Sequence, residues 1–184
     1  MQSLQQLLAL YPKGSSLNCL FFWGHTPTKK GQIGPFIFSQ WYPSPFLIDG
    51  LLFPTAEHYM MWSKAKLFND IHQQTTVLQS SSPKAAKACG RKVQNFDHSI
   101  WEAHKVDIVM RANIAKFSQH TDLKDFLLDT RPQILVEASP YDSIWGIGKI
   151  AHSSMCDPHN WEGENLLGFV LMEVRERLYS KKLC

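Results

Sequence analysis

The residues best suited to chemistry in this 184-residue chain fall into four short clusters, each mixing polar or charged side chains with glycine, proline or aromatic residues. Such mixtures suit a concave site for a flat, polar ligand. The first cluster, Pro54-Thr55-Ala56-Glu57-His58-Tyr59, places a carboxylate in the first turn of a helix opened by a capping threonine, where the positive end of the helix dipole favours the ionised form. Beside a ribose, that anion would stabilise the positive charge that grows on the anomeric carbon as a base departs. It could equally do no more than complement the dipole. The second cluster runs from Ser82-Pro83 to Gly90-Arg91 and sets Lys84 and Lys87 on one helical face, with Arg91 a turn further on. Three cations in a row attract phosphate, and a lysine with a depressed pKa can attack the C1 carbon of a ribosylamine to form a Schiff base. The alternative is an ordinary solvated face.

The third cluster, Ser139-Pro140-Tyr141-Asp142-Ser143-Ile144-Trp145-Gly146-Ile147-Gly148, follows a strand-like run. Asp142 could orient a ribose hydroxyl or a water, Trp145 could stack on a base, and Gly146 could let a ligand approach the backbone. Turn stabilisation and core filling are the plain alternatives. The fourth is the aromatic set Phe22, Trp23, Trp41, Tyr42, Trp62, Trp101 and Trp161. Most must serve the core, but one or two, with Trp23, Tyr42 and Trp101 as candidates, could be stacking platforms for a flat base.

Several classes of protein are disfavoured by what the chain contains. There is no P-loop, nucleophile elbow or H-E-x-x-H run, and the eight histidines occur singly, so no metal and no cofactor are expected. A net charge of +3, spread along the chain, supports attraction for phosphate but not a basic stripe for duplex nucleic acid. The four cysteines lie far apart in sequence without a C-x-x-C pair, which points to a reduced, cytoplasmic setting without disulfides. No apolar run is long enough to span a membrane.

The elements that must position these residues are mostly helical. A short amphipathic helix is expected over Met1–Leu10, then a strand at Cys19–Trp23, a hairpin loop from Thr26 to Gly34 and a second strand at Pro35–Ser39, giving a two-stranded ribbon. Trp41–Phe46, with two prolines, reads as a rigid irregular segment, and Asp49-Gly50 is a turn signal. Helices follow at 56–68, 84–89, 99–118, 122–129 and 166–178, the last capped by Asn165, with a buried strand at 134–138. The fold class expected is therefore mainly α (α+β), one domain over residues 1–184.

With these residues in hand, the chain resembles the YbiA-like, or NADAR, family of N-glycosidases from about Leu20 to Leu178. The likeness rests on Phe22-Trp23-Gly24, on Tyr42-Pro43-Ser44-Pro45-Phe46 followed by Pro54-Thr55-Ala56-Glu57-His58-Tyr59, on Ala86-Lys87 with Gly90-Arg91, and on Lys116-Phe117. It continues through Leu135 to Asp142, Trp145-Gly146-Ile147-Gly148 and Asn165-Leu166-Leu167-Gly168, in the family's order. The resemblance implies helices packed around a small β element and hydrolysis of N-glycosidic bonds to ribose phosphates. Two substrate classes come with it: early ribosylamino-pyrimidine phosphates of riboflavin synthesis, and ADP-ribose attached to guanine, including guanine in nucleic acid. It also implies that Glu57, Trp101 and Asp142 form the catalytic set, that Lys87 is the Schiff-base lysine, and that Arg91 and Trp145 line the pocket, to which the residue-level reading adds Trp23, Tyr42, Gly146 and Lys84. The chain departs from the family pattern at Ser39-Gln40-Trp41, where similar proteins have Ser-Asn-Phe, a change expected to alter which base fits. The competing expectations are a module that binds ADP-ribose or a modified base without cleaving it, and a toxin-neutralising partner acting through protein contacts.

Overall fold

The computed structural model of the chain describes residues 3–27, 29 and 31–182. Parts of the expected N-terminal helix (Met1, Gln2) and hairpin loop (Thr28, Lys30), together with Cys184, lie outside the described residues. The chain forms two compact units, Gln40–His120 and the combination of Met1–Ser39 with Thr121–Cys184. The fold is mainly helical with two small sheets, as the composition and periodicity predict.

The Gln40–His120 unit is organised by helix α2 (Ala56–Leu67), whose residues from Ala56 through Ser63 are all buried. Helices α3 (Ile71–Gln79), α4 (Pro83–Gly90) and α5 (His98–Gln119) each pack against it. A helix buried on every side over two turns stands at the centre of its unit. The starts of all four are written locally: Thr55, Asp70, Ser82 and Asp97 each accept the backbone N–H three residues on, the satisfaction that an N-cap supplies. Helix α3 is not anticipated by the sequence pattern, because Thr75-Thr76-Val77 is a β-branched run of weak helix propensity. Gly90, the last residue of α4, is set by packing: a Cβ there would stand 2.0 Å from the Met61 sulfur, so its missing side chain lets α4 approach α2. The segment before α2 is more regular than its prolines suggest. Strands β2 (Phe46–Ile48) and β3 (Leu51–Phe53) pair antiparallel across Asp49 (φ 52°) and Gly50 (φ 77°), the left-handed pair that a tight hairpin turn demands.

In the other unit, strand β1 (Cys19–Phe22) does not form the expected ribbon. It pairs parallel with β4 (Ile134–Glu137), from Cys19 opposite Ile134 to Phe22 opposite Glu137. The expected partner, Pro35–Phe38, is a 3-10 turn with proline in its first turn; proline lacks the N–H that a ladder needs, and the pairing goes instead to a strand more than a hundred residues away. Helix α1 (Leu4–Leu10) is capped by Ser3, and α6 (Thr121–Asp129) and α7 (Leu166–Lys182) complete the unit. Asn165 precedes α7 but does not cap it through its side chain: its Oδ1 accepts the Glu137 N–H at 2.9 Å and its Nδ2 donates to the Leu135 carbonyl at 3.0 Å. The amide thus ties α7 to the strand. Gly168, one turn into α7, lies so close to β4 that a Cβ would stand 2.1 Å from the Leu135 carbonyl oxygen. Cys19 and Cys156, distant in sequence, lie side by side as free thiols, and burial together with this neighbour pushes the Cys19 thiol up to about 12. Among the described residues no helix is long and apolar enough to cross a membrane.

The helix-to-strand contact at Gly168 and Asn165 is a stability hinge for this unit. Gly168→Ala is expected to lower the unfolding free energy by roughly 2 kcal/mol or more through overpacking against backbone that cannot retreat. Asn165→Ala should cost about 2 kcal/mol by leaving a buried carbonyl and an N–H without their partner. Urea unfolding of each variant measures both.

Candidate active site

Four of the sequence-predicted site residues lie on α2, on α4 or at the end of α4, and two more, Tyr42 and Trp101, belong to the same unit. Glu57 stands in the first turn of α2 and is only 5 % exposed, and its backbone N–H donates to the Gln40 carbonyl at 2.9 Å. The helix start that carries it is doubly fastened. The Nε2 of His58 lies 3.3 Å from the Ser80 carbonyl, and since a carbonyl only accepts, that nitrogen carries the proton. Nδ1 then accepts the Thr55 hydroxyl at 2.8 Å, while the Thr55 oxygen accepts the His58 N–H. Burial holds the His58 imidazole below its ordinary pKa, against the raising effect of the Ser80 bond.

On α4, Lys87 is half-buried with its Nζ 5.9 Å from the centroid of the Trp41 ring. Lys84 and Arg91 are exposed. Tyr42 is half-buried, and the ammonium of Lys116, a fully buried residue of α5, sits 5.7 Å from its ring centroid and 5.2 Å from that of Phe117. Burial pushes Lys116 down to about 7. Lys116-Phe117 belongs to the family-like pattern, yet sequence reasoning assigns it no role.

Trp101, in the first turn of α5, packs against the cluster of Ala65, Phe68 and Val93 and is partly exposed. Over it stands Lys64 of α2, a residue that sequence reasoning overlooks. Its Nζ lies 4.2 Å from the Phe96 centroid and 5.6 Å from that of Trp101, and burial lowers its pKa. The signal was present: Lys64 is seven positions after Glu57, which returns nearly to the same helical face two turns on.

In the other unit, the 139–148 loop follows β4 and is held by its own backbone. The Asp142 Oδ1 accepts the N–H groups of Ile144 at 3.0 Å and Trp145 at 2.8 Å, so Asp142 organises the turn that presents Trp145. A Cβ on Gly146 would stand 2.8 Å from the Glu137 carbonyl oxygen and 2.9 Å from that of Asp142; the glycine is required by the loop's own packing. Trp23 is 55 % exposed and its ring faces that of Tyr141 at 6.1 Å between centroids. Trp161, another member of the aromatic set, is buried and donates its indole N–H to the Met155 carbonyl at 2.7 Å, a structural use. Among the described residues no group of His, Cys, Asp or Glu is arranged to hold a metal.

Comparison with known proteins places these residues in a family. The NADAR domain model matches residues 21–179, a stretch drawn from both units. An N-glycosidase of Acanthamoeba polyphaga mimivirus is 45 % identical over 163 residues, covering 85 % of this chain and 94 % of that protein. The N-glycosidase YbiA of Escherichia coli is 35 % identical over 145 residues, 79 % of this chain and 82 % of its own. The NMR structure of Escherichia coli YbiA superposes with a TM-score of 0.72 at 31 % identity, covering 94 % of this chain and 92 % of that one.

The His58 fastening makes the start of α2 sensitive to acid. The unfolded imidazole, at its ordinary 6.5, holds a proton more readily than the folded one. Stability is therefore complete above about pH 6.5 and declines as the pH falls below it, with a slope of at most ~1.4 kcal/mol per pH unit from this group. In His58→Gln that component of the slope should vanish, as read from urea midpoints between pH 5 and 8.

Proposed function

The chain belongs to the NADAR domain family, and on that premise we propose that it is an N-glycosidase hydrolysing the bond between a base, or base-like amine, and a ribose phosphate. The observation that carries the reading is Glu57, a carboxylate buried in the first turn of a helix whose start is locked by the Thr55, His58 and Ser80 bonds. Departure of a base leaves positive charge on C1 and the ring oxygen. A fixed anion that need not reorganise stabilises that charge far better than water does. The relatives' names support the bond type.

The remaining candidates divide the work by chemistry. Lys84, Lys87 and Arg91 supply positive charge for the phosphate, the two-pronged guanidinium being suited to bidentate contact. Tyr42 and Trp101 offer rings to the base or the sugar. Asp142, which belongs to the other unit, carries the chemistry of a proton-handling carboxylate, and Trp145 and Trp23 that of stacking rings. A module that only binds would need the arginine and the rings but would gain nothing from a buried carboxylate.

Two probes decide the leaving group: the ribosylamino-pyrimidine phosphate and a guanine oligonucleotide bearing ADP-ribose, each incubated with the protein and the products identified by mass. Release of a free base or base-bearing strand together with the matching sugar phosphate is the expected result from one of them. Turnover of neither overturns the reading. Glu57→Gln is expected to lower kcat about 100- to 1000-fold with little change in KM. Arg91→Ala should instead raise KM, by roughly tenfold for loss of one charge-assisted contact.

A further inference from the structure

Resting on the glycosidase reading, we propose that Trp41 is the ring that selects the base, favouring a bicyclic base over a monocyclic one, and that Gln40 is the positioning residue that presents it. Both stand where the chain departs from the family pattern, with Gln-Trp in place of Asn-Phe. Gln40 is fastened twice. Its backbone carbonyl accepts the Glu57 N–H at 2.9 Å, one of the first-turn donors that a helix cannot satisfy by itself. Its buried side chain forms a reciprocal amide pair with the buried Asn113 of α5: the Gln40 Nε2 donates to the Asn113 Oδ1, and the Asn113 Nδ2 donates to the Gln40 Oε1, each at 3.3 Å. The Asn113 Nδ2 also donates to the Val109 carbonyl at 2.8 Å, which fixes the direction of that amide. One residue is thus tied to two helices, and Trp41 leaves from a fixed point.

The last two turns of α5 hold the residues that follow. The Lys116 ammonium lies 5.7 Å from the Tyr42 ring centroid, the Nε2 of His120 donates to the Pro45 carbonyl at 2.8 Å, and the Gln119 amide accepts the Leu47 N–H and donates to the Leu47 carbonyl, each at 2.9 Å. The chain on both sides of Trp41 is therefore held before any ligand arrives. Trp41 itself is half-buried, so part of the indole reaches solvent, and the Lys87 Nζ stands 5.9 Å from its centroid. Its neighbour Gln40 is bonded to the first turn of α2, the turn that carries Glu57. The other rings of this unit serve different ends: Phe46, Phe53, Tyr59 and Trp62 form a buried cluster, and Trp101 packs on Ala65, Phe68 and Val93, toward the far end of α2.

A flat base stacks on an aromatic face, and the attraction grows with the area that overlaps. An indole presents two fused rings where a phenylalanine presents one, and a bicyclic base covers both while a monocyclic base covers one. The glutamine belongs to the same device. Asparagine at position 40 would be shorter by one methylene, about 1.5 Å of bond, and contacts already 3.3 Å long would then exceed hydrogen-bond reach. Gln40 holds the backbone from which the larger ring projects, and the larger ring reads the base.

Two ribose phosphates that differ only in the base, guanosine 5′-monophosphate and cytidine 5′-monophosphate, are titrated calorimetrically into the full-length protein, Trp41→Phe, Gln40→Asn, and the double variant Gln40→Asn with Asn113→Gln. The parent is expected to bind the guanine nucleotide at least about fivefold more tightly, and Trp41→Phe and Gln40→Asn to bring that ratio to within about twofold of unity, with the urea midpoint of Trp41→Phe unchanged. The double variant keeps the summed length of the two amide side chains and should restore the parent's ratio to within about twofold. A merely structural role would weaken both nucleotides alike and leave the ratio where it was. An unmoved ratio in Trp41→Phe, a parent that binds neither nucleotide or does not discriminate, or a double variant no better than Gln40→Asn overturns the assignment. Binding is read without turnover, so failure to hydrolyse either of the two substrate probes overturns the glycosidase reading separately, while the nucleotide ratio still decides whether Trp41 and Gln40 recognise the base.

Discussion

A helix buried on all its faces cannot turn or slide to suit its surroundings, and α2 is such a helix from Ala56 through Ser63. Three other helices pack on it, and close packing converts even a small displacement into lost contacts or clashes on several sides at once. Its first turn is fixed further by Thr55, His58 and Ser80. Whatever stands on α2 is thereby held in space before any ligand arrives. Glu57 and Lys64 both stand on it, so the spacing of their Cα atoms is set by helix geometry.

Burying charge is costly unless something offsets it, and this unit offsets it with aromatic faces. Lys64 lies against Phe96 and Trp101, Lys87 against Trp41, and Lys116 against Tyr42 and Phe117. The rings stabilise the ammonium groups through their quadrupoles while keeping water away. The arrangement also grades the lysines, from solvated Lys84 to enclosed Lys116.

The other unit fixes its groups by a different device. Its loop over 139–148 leaves β4 and curls back on its own carbonyls, so Asp142 is oriented by the N–H groups of Ile144 and Trp145. Asn165 and Gly168 tie α7 to the same strand. A carboxylate held by two backbone donors is rigid through local bonds, whereas Glu57 is rigid through the packing of its helix.

Helix starts were legible from the sequence because a cap is a local event: Thr55 and Ser82 each satisfy a backbone N–H three residues away, and no distant residue is needed to form that bond. The carboxylate in the first turn, the cations of α4 and the family-like order of motifs were legible for the same reason. The partner of β1 was not, since parallel pairing with β4 joins segments more than a hundred residues apart and the nearby Pro35–Phe38 offers a plausible but false alternative. Gly90, Asn165 and Gly146 were visible as residues, yet their uses depend on what stands opposite them in space: the Met61 sulfur, the β4 backbone and the Glu137 carbonyl. Tertiary structure alone decided which lysine sits among rings and which in water. Residue type gives each lysine the same charge and reach, and only the neighbours brought by folding set its exposure and its proton affinity.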